Sequence, residues 1–530
     1  MNSRSSGRRR ISLVVMLALA FGGWMAVAPE AVAGTTPLSG LSPYPDGGDP
    51  TDVLAVTDCN GGAQIGIVYR NSETEPHLAV NPTDPDNMIA VWHQDRWSNG
   101  SAQGIGGAYT LDGGATWSAL NVSFTRCSGG LPGTTGDYQR ASDPWLTFGP
   151  AGVVYLMALV SDQSTSRNGM VVAKSTDGGV SFSDPIIIKD HDAAGIKARS
   201  LFHDKNTMTA DPHHPGFVYA TWTLFRNRSY ALLFSRSTDG GDTWSPAHPV
   251  NVFEKMAMHE GASFRQGAQI AVLPDGTLIN TFFRVLADPR RGGQFTGIEE
   301  AIFRSRDQGG RWERLDTPVA AIVPTGAIDA ELFFNFGIIL PVRDAGQLPD
   351  IAVNRTTGAI YIVWQDGRFS PLGASSILIA RSIDGGDTWS QPLPVHDVSN
   401  PFNQAFLPAV AVATDGTVGV LFYDFRNDQF GDAILGTDVH LTKLDPDLNI
   451  QTEIRLTDSP FDMRQMLITG FSGFFPGDYI GLDTAGNDFV AAFTVANNLG
   501  LDLEFPQEEG VLRVDANNRQ DIVFTRVSGP

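Results

Sequence analysis

One nine-residue segment, STDGGDTWS at residues 237 to 245, constrains this chain more than any other because it recurs. Related copies start at Thr110, Ser175, Ser305 and Ser382, and a weaker echo, TKLDPDLN, starts at Thr442. Their aspartates, Asp112, Asp177, Asp239, Asp307 and Asp384, lie 62 to 77 residues apart, the regularity of an architecture assembled from repeated units. Within each copy the carboxylate can accept bonds from backbone N–H groups ahead of it, glycine supplies a positive φ, and Thr or Ser adds a local bond. That describes a tight hairpin turn. The aromatic that closes each copy, at 117, 182, 244, 312 and 389, is then a plug that locks the turn onto its neighbour.

Between the copies an apolar alternating strand, a turn and a second apolar strand recur, as in EPHLAVNPTDPDNMIAVWHQDR (75 to 96) and LPAVAVATDGTVGVLFYDFR (407 to 426). Period-two alternation with Gly-rich turns marks antiparallel strands, and no segment reads as a long amphipathic helix. Two strands, a link, a third strand running into the motif and a fourth strand form one blade of a β-propeller. The pattern predicts an all-β propeller of four-stranded blades, seven favoured with six as the alternative. The last unit has DIVFTRV (521 to 527) as its third strand, and QIGIVYR (64 to 70) is the expected fourth, so that an N-terminal strand closes the ring.

The 530 residues exceed one ordinary compact core, which a repeated architecture accommodates. The net charge of −21 argues against nucleic acid and anionic membranes as partners. A basic start, an apolar run from Ile11 to Val27 and small residues at Ala31 and Ala33 predict a signal peptide over 1–33, hence a secreted, extracellular protein with no membrane anchor in its mature form. An N-terminal segment then spans 34–60 and the propeller 61–530. Cys59 and Cys127, the only cysteines, are expected to pair in one disulfide. No cofactor and no catalytic metal are expected; NPTDPDN (81 to 87) is a candidate structural calcium turn without the spacing of a known loop. The chain is expected to act as a monomer.

The five motif copies resemble the Asp boxes (BNR repeats) of sialidases, over nearly the whole chain after residue 33. The resemblance implies an active site on the face opposite the motif turns, where first strands begin and second strands end. It also implies three arginines that hold a carboxylate, a tyrosine nucleophile activated by a glutamate, and an aspartic acid as acid/base. Tyr479 in GDYIGL takes the place of the family's tyrosine, and Arg284 that of one arginine. Other positions depart: Thr74-Glu75-Pro76 stands where the family has an arginine, and Gln266-Gly267 where it has the glutamate.

Reading that face gives Tyr479, Asp95, Asp143 and Asp478 as catalytic candidates, and Arg96, Arg284, Arg368, Arg426, His93 and Asp204 as binding candidates. The strand-end patterns HQDR, QDGR and YDFR pair an Asp with a following Arg, which is either an ion pair between blades or a group for a polar ligand. A glycan substrate is expected, handled by an exo-α-sialidase or related glycoside hydrolase. The alternatives are a non-catalytic propeller that binds carbohydrate or protein, and a polysaccharide lyase using His93 or His203 as base. A conspicuously acidic face with few arginines would favour a neutral or cationic ligand.

Overall fold

In the computed structural model the described residues are 33–44, 59, 66, 68–163, 165, 167–191, 201–226, 229–250, 262–288, 294–336, 339–370, 373–400, 402–431, 434–466, 473–497 and 520–529. Most of the expected leader and of the segment 45–67 lies outside them.

The alternating strands pair as antiparallel meanders. Each runs from an innermost strand outward, and the seven innermost strands, Thr74–Val80, Arg140–Phe148, Leu201–Ala210, Ala262–Val272, Asp350–Val353, Ala405–Val412 and Gly481–Ala485, line an axial channel of about 760 Å³. The architecture is a β-propeller. Middle strands such as Ile360–Asp366 and Val418–Asp424 are buried throughout because adjoining blades cover both of their faces.

The seven meanders do not all stand as separate blades, where seven or six were expected. Four sheets have four strands and a fifth adds only Phe461–Asp462, which makes five separate blades. The other strands form one nine-stranded sheet, in which the meanders 74–119 and 140–191 are joined at a single pair, Ala102 opposite Ala141. Arg140 brings them together: its guanidinium sits 4.2 Å over the Trp97 ring and donates to Asn99 Oδ1 and Gly100 O, each at 2.8 Å.

Ring closure uses a different N-terminal strand from the one expected. Thr36 and Pro37 pair with Phe524 and Val523 at the outer edge of the last blade. Val68–Tyr69, from the expected closing segment, pairs instead with Trp97 and Arg96.

The repeated motifs make one turn many times. Asp239 Oδ1 accepts from Thr243 N at 2.9 Å while Ser237 Oγ accepts from Gly241 N at 2.8 Å, and the copies at Asp112, Asp177 and Asp384 bond alike. The echo at Thr442 does the same through Asp445 and Asn449 N, at 2.9 Å. The closing aromatics dock on the preceding blade, Trp312 on Phe234 and Trp117 on Phe524.

A second staple was not visible as a motif. The basic residue just before the turn reaches into the next blade's turn: Lys174 donates to Gly240 O, Arg236 to Asp307 O, Arg304 to Gly385 O and Arg381 to Pro446 O. Arg526 donates to Gly113 O at 3.2 Å and so joins the last blade to the first. One short helix, Ala330–Phe336, stands in the excursion between the strands 317–322 and 350–353. Cys59 and Cys127 are bonded, with Cα atoms 4.7 Å apart.

Candidate functional site

Five innermost strands carry the same irregularity near their start. Thr74 opposes His93 and His77 opposes Val91, so Glu75 and Pro76 share one partner position; the same two-against-one bulge falls at 143–144, 205–206, 267–268 and 407–408. The first residue of each bulge is left-handed: Glu75 (φ 55), Asp143 (52), Lys205 (52), Gly267 (73) and Leu407 (57). Four of these five are not glycine, so the backbone accepts strain there to re-aim a side chain. At Glu75, Asp143 and Lys205, on three successive inner strands, the re-aimed groups are charged and they converge.

Lys205 is the hub. Its Nζ pairs with Asp478 and lies 4.0 Å from Asp143 Oδ2, and its backbone N–H donates to Asp143 Oδ2 at 3.2 Å. The last blade closes over Glu75: Asp478 N–H donates to Glu75 Oε1 at 3.2 Å, and Gly477 (φ 133) packs so tightly that a Cβ there would stand 3.0 Å from Glu75 N. Arg343 reaches in from the long excursion, 3.0 Å from Asp478, and stacks 4.2 Å over Phe475. Arg96 stacks on that ring too, at 4.9 Å, and its charge is felt by Glu75.

His93 completes the cluster. Its Nε2 is 2.9 Å from Glu75 Oε2, 2.7 Å from Asp143 N and 3.2 Å from Ser142 Oγ. One ring nitrogen thus faces a carboxylate and an amide N–H together, and a proton on it suits the first but not the second. Glu75, His93 and Asp143 present ligand atoms within 4.8 Å of one another, the one set among the described residues with metal-site spacing. The amide already bonded to His93 and the nearby Lys205 and Arg96 cations work against a divalent ion there.

The electrostatics divide the carboxyls. Burial alone would raise Glu75, but His93, Lys205 and Arg96 outweigh it and hold Glu75 well below the usual range. Asp204, half-buried beside them, is pushed up to about 7: burial and the neighbouring Asp143 and Asp478 prevail over Lys205. Tyr479 lies against Trp145 (5.6 Å, edge-on) with Lys205 Nζ 5.8 Å from its ring centre, and its hydroxyl has no hydrogen-bond partner. Burial and the carboxylates of Asp143, Glu75, Asp478 and Asp204 drive its pKa well up, the opposite of an activated phenolate.

The structure therefore gathers Tyr479, Asp143, Asp478, Asp204, His93 and Arg96, and sets four other sequence candidates elsewhere. Asp95 is bound by Ser42 Oγ (2.5 Å), Asn71 N (2.9 Å) and Gln94 Nε2 (3.1 Å), none of them in the cluster, and its own left-handed φ of 60 serves that local knot. Arg284 is held within its blade by Glu299 and Asp316. Arg368 pairs with Asp366, and Arg426 with Asp424 and Glu453, so the strand-end Asp-Arg pattern at these sites is an ion pair within the framework. His203 is likewise occupied: its Nε2 lies 2.6 Å from His191 Nδ1, its Nδ1 accepts from Trp222 at 2.8 Å, and burial lowers its pKa to about 3. The cluster residues without an assigned role in the sequence are Glu75, Lys205 and Arg343. The signal for the first two was their shared place in the repeat, one residue into TEP, DKN and SDP; Arg343 had none, since it arrives from a non-repeated excursion.

Comparison with known proteins gives no match to any family model. The chain is similar to a xyloglucanase of Hypocrea jecorina (strain QM6a), 26% identical over 331 residues that make up 59% of this chain and 32% of that protein. It thus spans about a third of that relative's length. Among solved structures it is similar to an α-L-arabinanase of Penicillium chrysogenum (14% identity, 79% of this chain and 99% of that one, TM-score 0.45). Another is the intramolecular trans-sialidase of Ruminococcus gnavus (13%, 87% and 95%, TM-score 0.40).

Proposed function

We propose that this chain is a glycoside hydrolase for an uncharged glycan, with its reaction at the cluster around Lys205. One observation carries this reading: two carboxyls of one cluster have protonation states driven apart, Asp204 up to about 7 and Glu75 well below its usual range. Such a split assigns acid and base roles. Asp204 donates its proton to the departing glycosidic oxygen as the C–O bond breaks, and a water that adds to the anomeric carbon gives its proton back to the Asp204 carboxylate. Glu75, Asp143 and Asp478 supply negative potential for the positive charge that develops on the sugar ring, with Lys205, Arg96 and Arg343 fixing their positions. Asp143 and Asp478 already engage Lys205, Arg343 engages Asp478 and Arg96 donates to Ser101 O, so each cation of the cluster has a partner within the protein. That favours a neutral sugar over a sialic acid. The similar xyloglucanase carries the name of an uncharged polysaccharide, which supports the same substrate class.

The test is turnover of uncharged oligosaccharides and polysaccharides alongside sialylated ones. Asp204→Asn is expected to lower kcat by about 10²- to 10⁴-fold, and wild-type activity to decline as pH rises through about 7, where Asp204 loses its proton. Tyr479→Phe is expected to leave kcat unchanged. Full activity in Asp204→Asn, or release of sialic acid alone, overturns the reading.

A second reading, a glycan-binding propeller without turnover, rests on burial. Glu75, His93, Asp143 and Asp478 are each no more than 4% exposed, which suits a structural knot as well as a reaction site. Binding of the same glycans without product would select it. We place the protein outside the cell, as its leader-like 1–33 segment suggests, and the Cys59–Cys127 bond supports an oxidising compartment.

A further inference from the structure

Four phenylalanines lie exposed together on the face that carries the cluster: Phe333 (39%), Phe334 (57%), Phe402 (41%) and Phe430 (50%). Phe334, Phe402 and Phe430 close a triangle, with ring centres 6.1 Å (334 to 402), 5.5 Å (402 to 430) and 6.3 Å (334 to 430) apart, and Phe333 adjoins it 5.2 Å from Phe334. The rings pack partly on one another, yet about two-fifths or more of each stays open to solvent, and an exposed aromatic group of this size is uncommon on a protein surface without a use.

The group is joined to the cluster by covalent chain and by bonds. The excursion that carries the helix Ala330–Phe336 returns as a hairpin, with Asp329 N bonded to Leu340 O and Val342 N to Ala327 O. It ends at Arg343, which holds Asp478. Gln404, two residues past Phe402, accepts from Ile328 N and donates to Ile328 O. Arg464 anchors the helix base through Asp329 (2.7 Å) and Glu331 (3.1 Å). The rings are therefore presented by a braced segment, and Phe334 is nine residues from Arg343, within about 30 Å even for extended chain.

We propose that this patch of rings binds the body of an uncharged polysaccharide whose scissile unit sits at the Lys205 cluster. The C–H faces of its sugar units pack on the exposed side of the patch, and the excursion links the patch to Arg343 at the cluster. The proposal deepens the hydrolase reading and rests on it for the substrate class, making the substrate a polymer instead of a terminal sugar on a small conjugate. A second copy of this chain is a poorer occupant, because two surfaces of net charge −21 repel, and an anionic membrane is excluded on the same ground.

The test is affinity electrophoresis in soluble xyloglucan, debranched arabinan and hydroxyethylcellulose, together with hydrolysis of short chromogenic glycosides. The proteins are wild type, Asp204→Asn, the triple variant Phe334→Ser/Phe402→Ser/Phe430→Ser and the single variant Phe430→Ser, each checked by thermal melting. Wild type and Asp204→Asn should be retarded equally by at least one polymer. The triple variant should bind it about tenfold more weakly or worse, Phe430→Ser should show part of that loss, and turnover of short glycosides should be unchanged in both. Retardation without any hydrolysis would sink the hydrolase reading and leave the binding surface standing. Absence of retardation in wild type, undiminished retardation in variants that melt like wild type, or a dimer in sedimentation that the triple variant dissociates would overturn the proposal.

Discussion

At the motif end of the propeller, Asp239 is satisfied by Ser237 and Thr243, partners two and four residues away. At the other end, Lys205 is satisfied by Asp143 and Asp478, the latter 273 residues away. The first end repeats one self-contained turn and ties blade to blade through the basic residue before it, as where Arg236 donates to Asp307 O and Gln308 O. The second brings strained residues from several blades onto one ammonium group. A locally bonded turn can be copied and exposed without consequence for chemistry. A charge knot made of distant residues exists only once the ring has closed, and it is there that unequal carboxyls appear.

Removing the hub should separate the two ends most sharply. Lys205→Met leaves Asp143 buried without its lysine and Asp478 with Arg343 alone, and is expected to cost about 3 to 5 kcal/mol in chemical denaturation. A loss no larger than that of a motif variant would erase the distinction. Next comes the covalent tie: Cys127→Ala frees a 68-residue span and is expected to cost about 2 to 4 kcal/mol, read the same way under non-reducing conditions. Asp239→Ala, at an exposed turn with purely local partners, is expected to cost about 1 kcal/mol.

The ends should also answer pH in opposite senses. Asp177, Asp239 and Asp384 are held down at about 2 by hydrogen bonds from their own turns, so their stabilisation is complete above about pH 4 and fades as pH falls toward 2. Asp204 is raised to about 7, so its stabilising contribution is present below about pH 4 and is lost as pH rises through 7. Melting curves of Asp204→Asn and Asp239→Asn across pH 2 to 8 check this. The first should flatten the neutral limb and the second the acid limb. A change in the wrong limb breaks the comparison.

Much of the motif end was legible because its physics is local. Asp, Gly and Thr at fixed offsets make the turn wherever they occur, and the near-continuous apolar runs in segments such as Ile360–Asp366 or Val418–Asp424 mark strands covered on both faces. The site was only partly legible. Strand order placed Tyr479, Asp143 and Asp478 on the face where the cluster forms, yet Asp95 and Arg284 sit at equivalent strand ends and bond elsewhere. Strand order gives a residue's end of the blade; it does not say whether a bulge turns that residue toward the axis.

By itself, then, the sequence determined the all-β propeller and the repeated turn, since each follows from contacts within a few residues. The tertiary structure decided the ring-closing strand, the fused nine-stranded sheet and the membership of the cluster. Left-handed Glu75, Asp143 and Lys205, and Arg343 arriving from a non-repeated excursion, meet only because the blades around them are packed. The energy that holds them is shared between groups hundreds of residues apart, and no local pattern of residues encodes it.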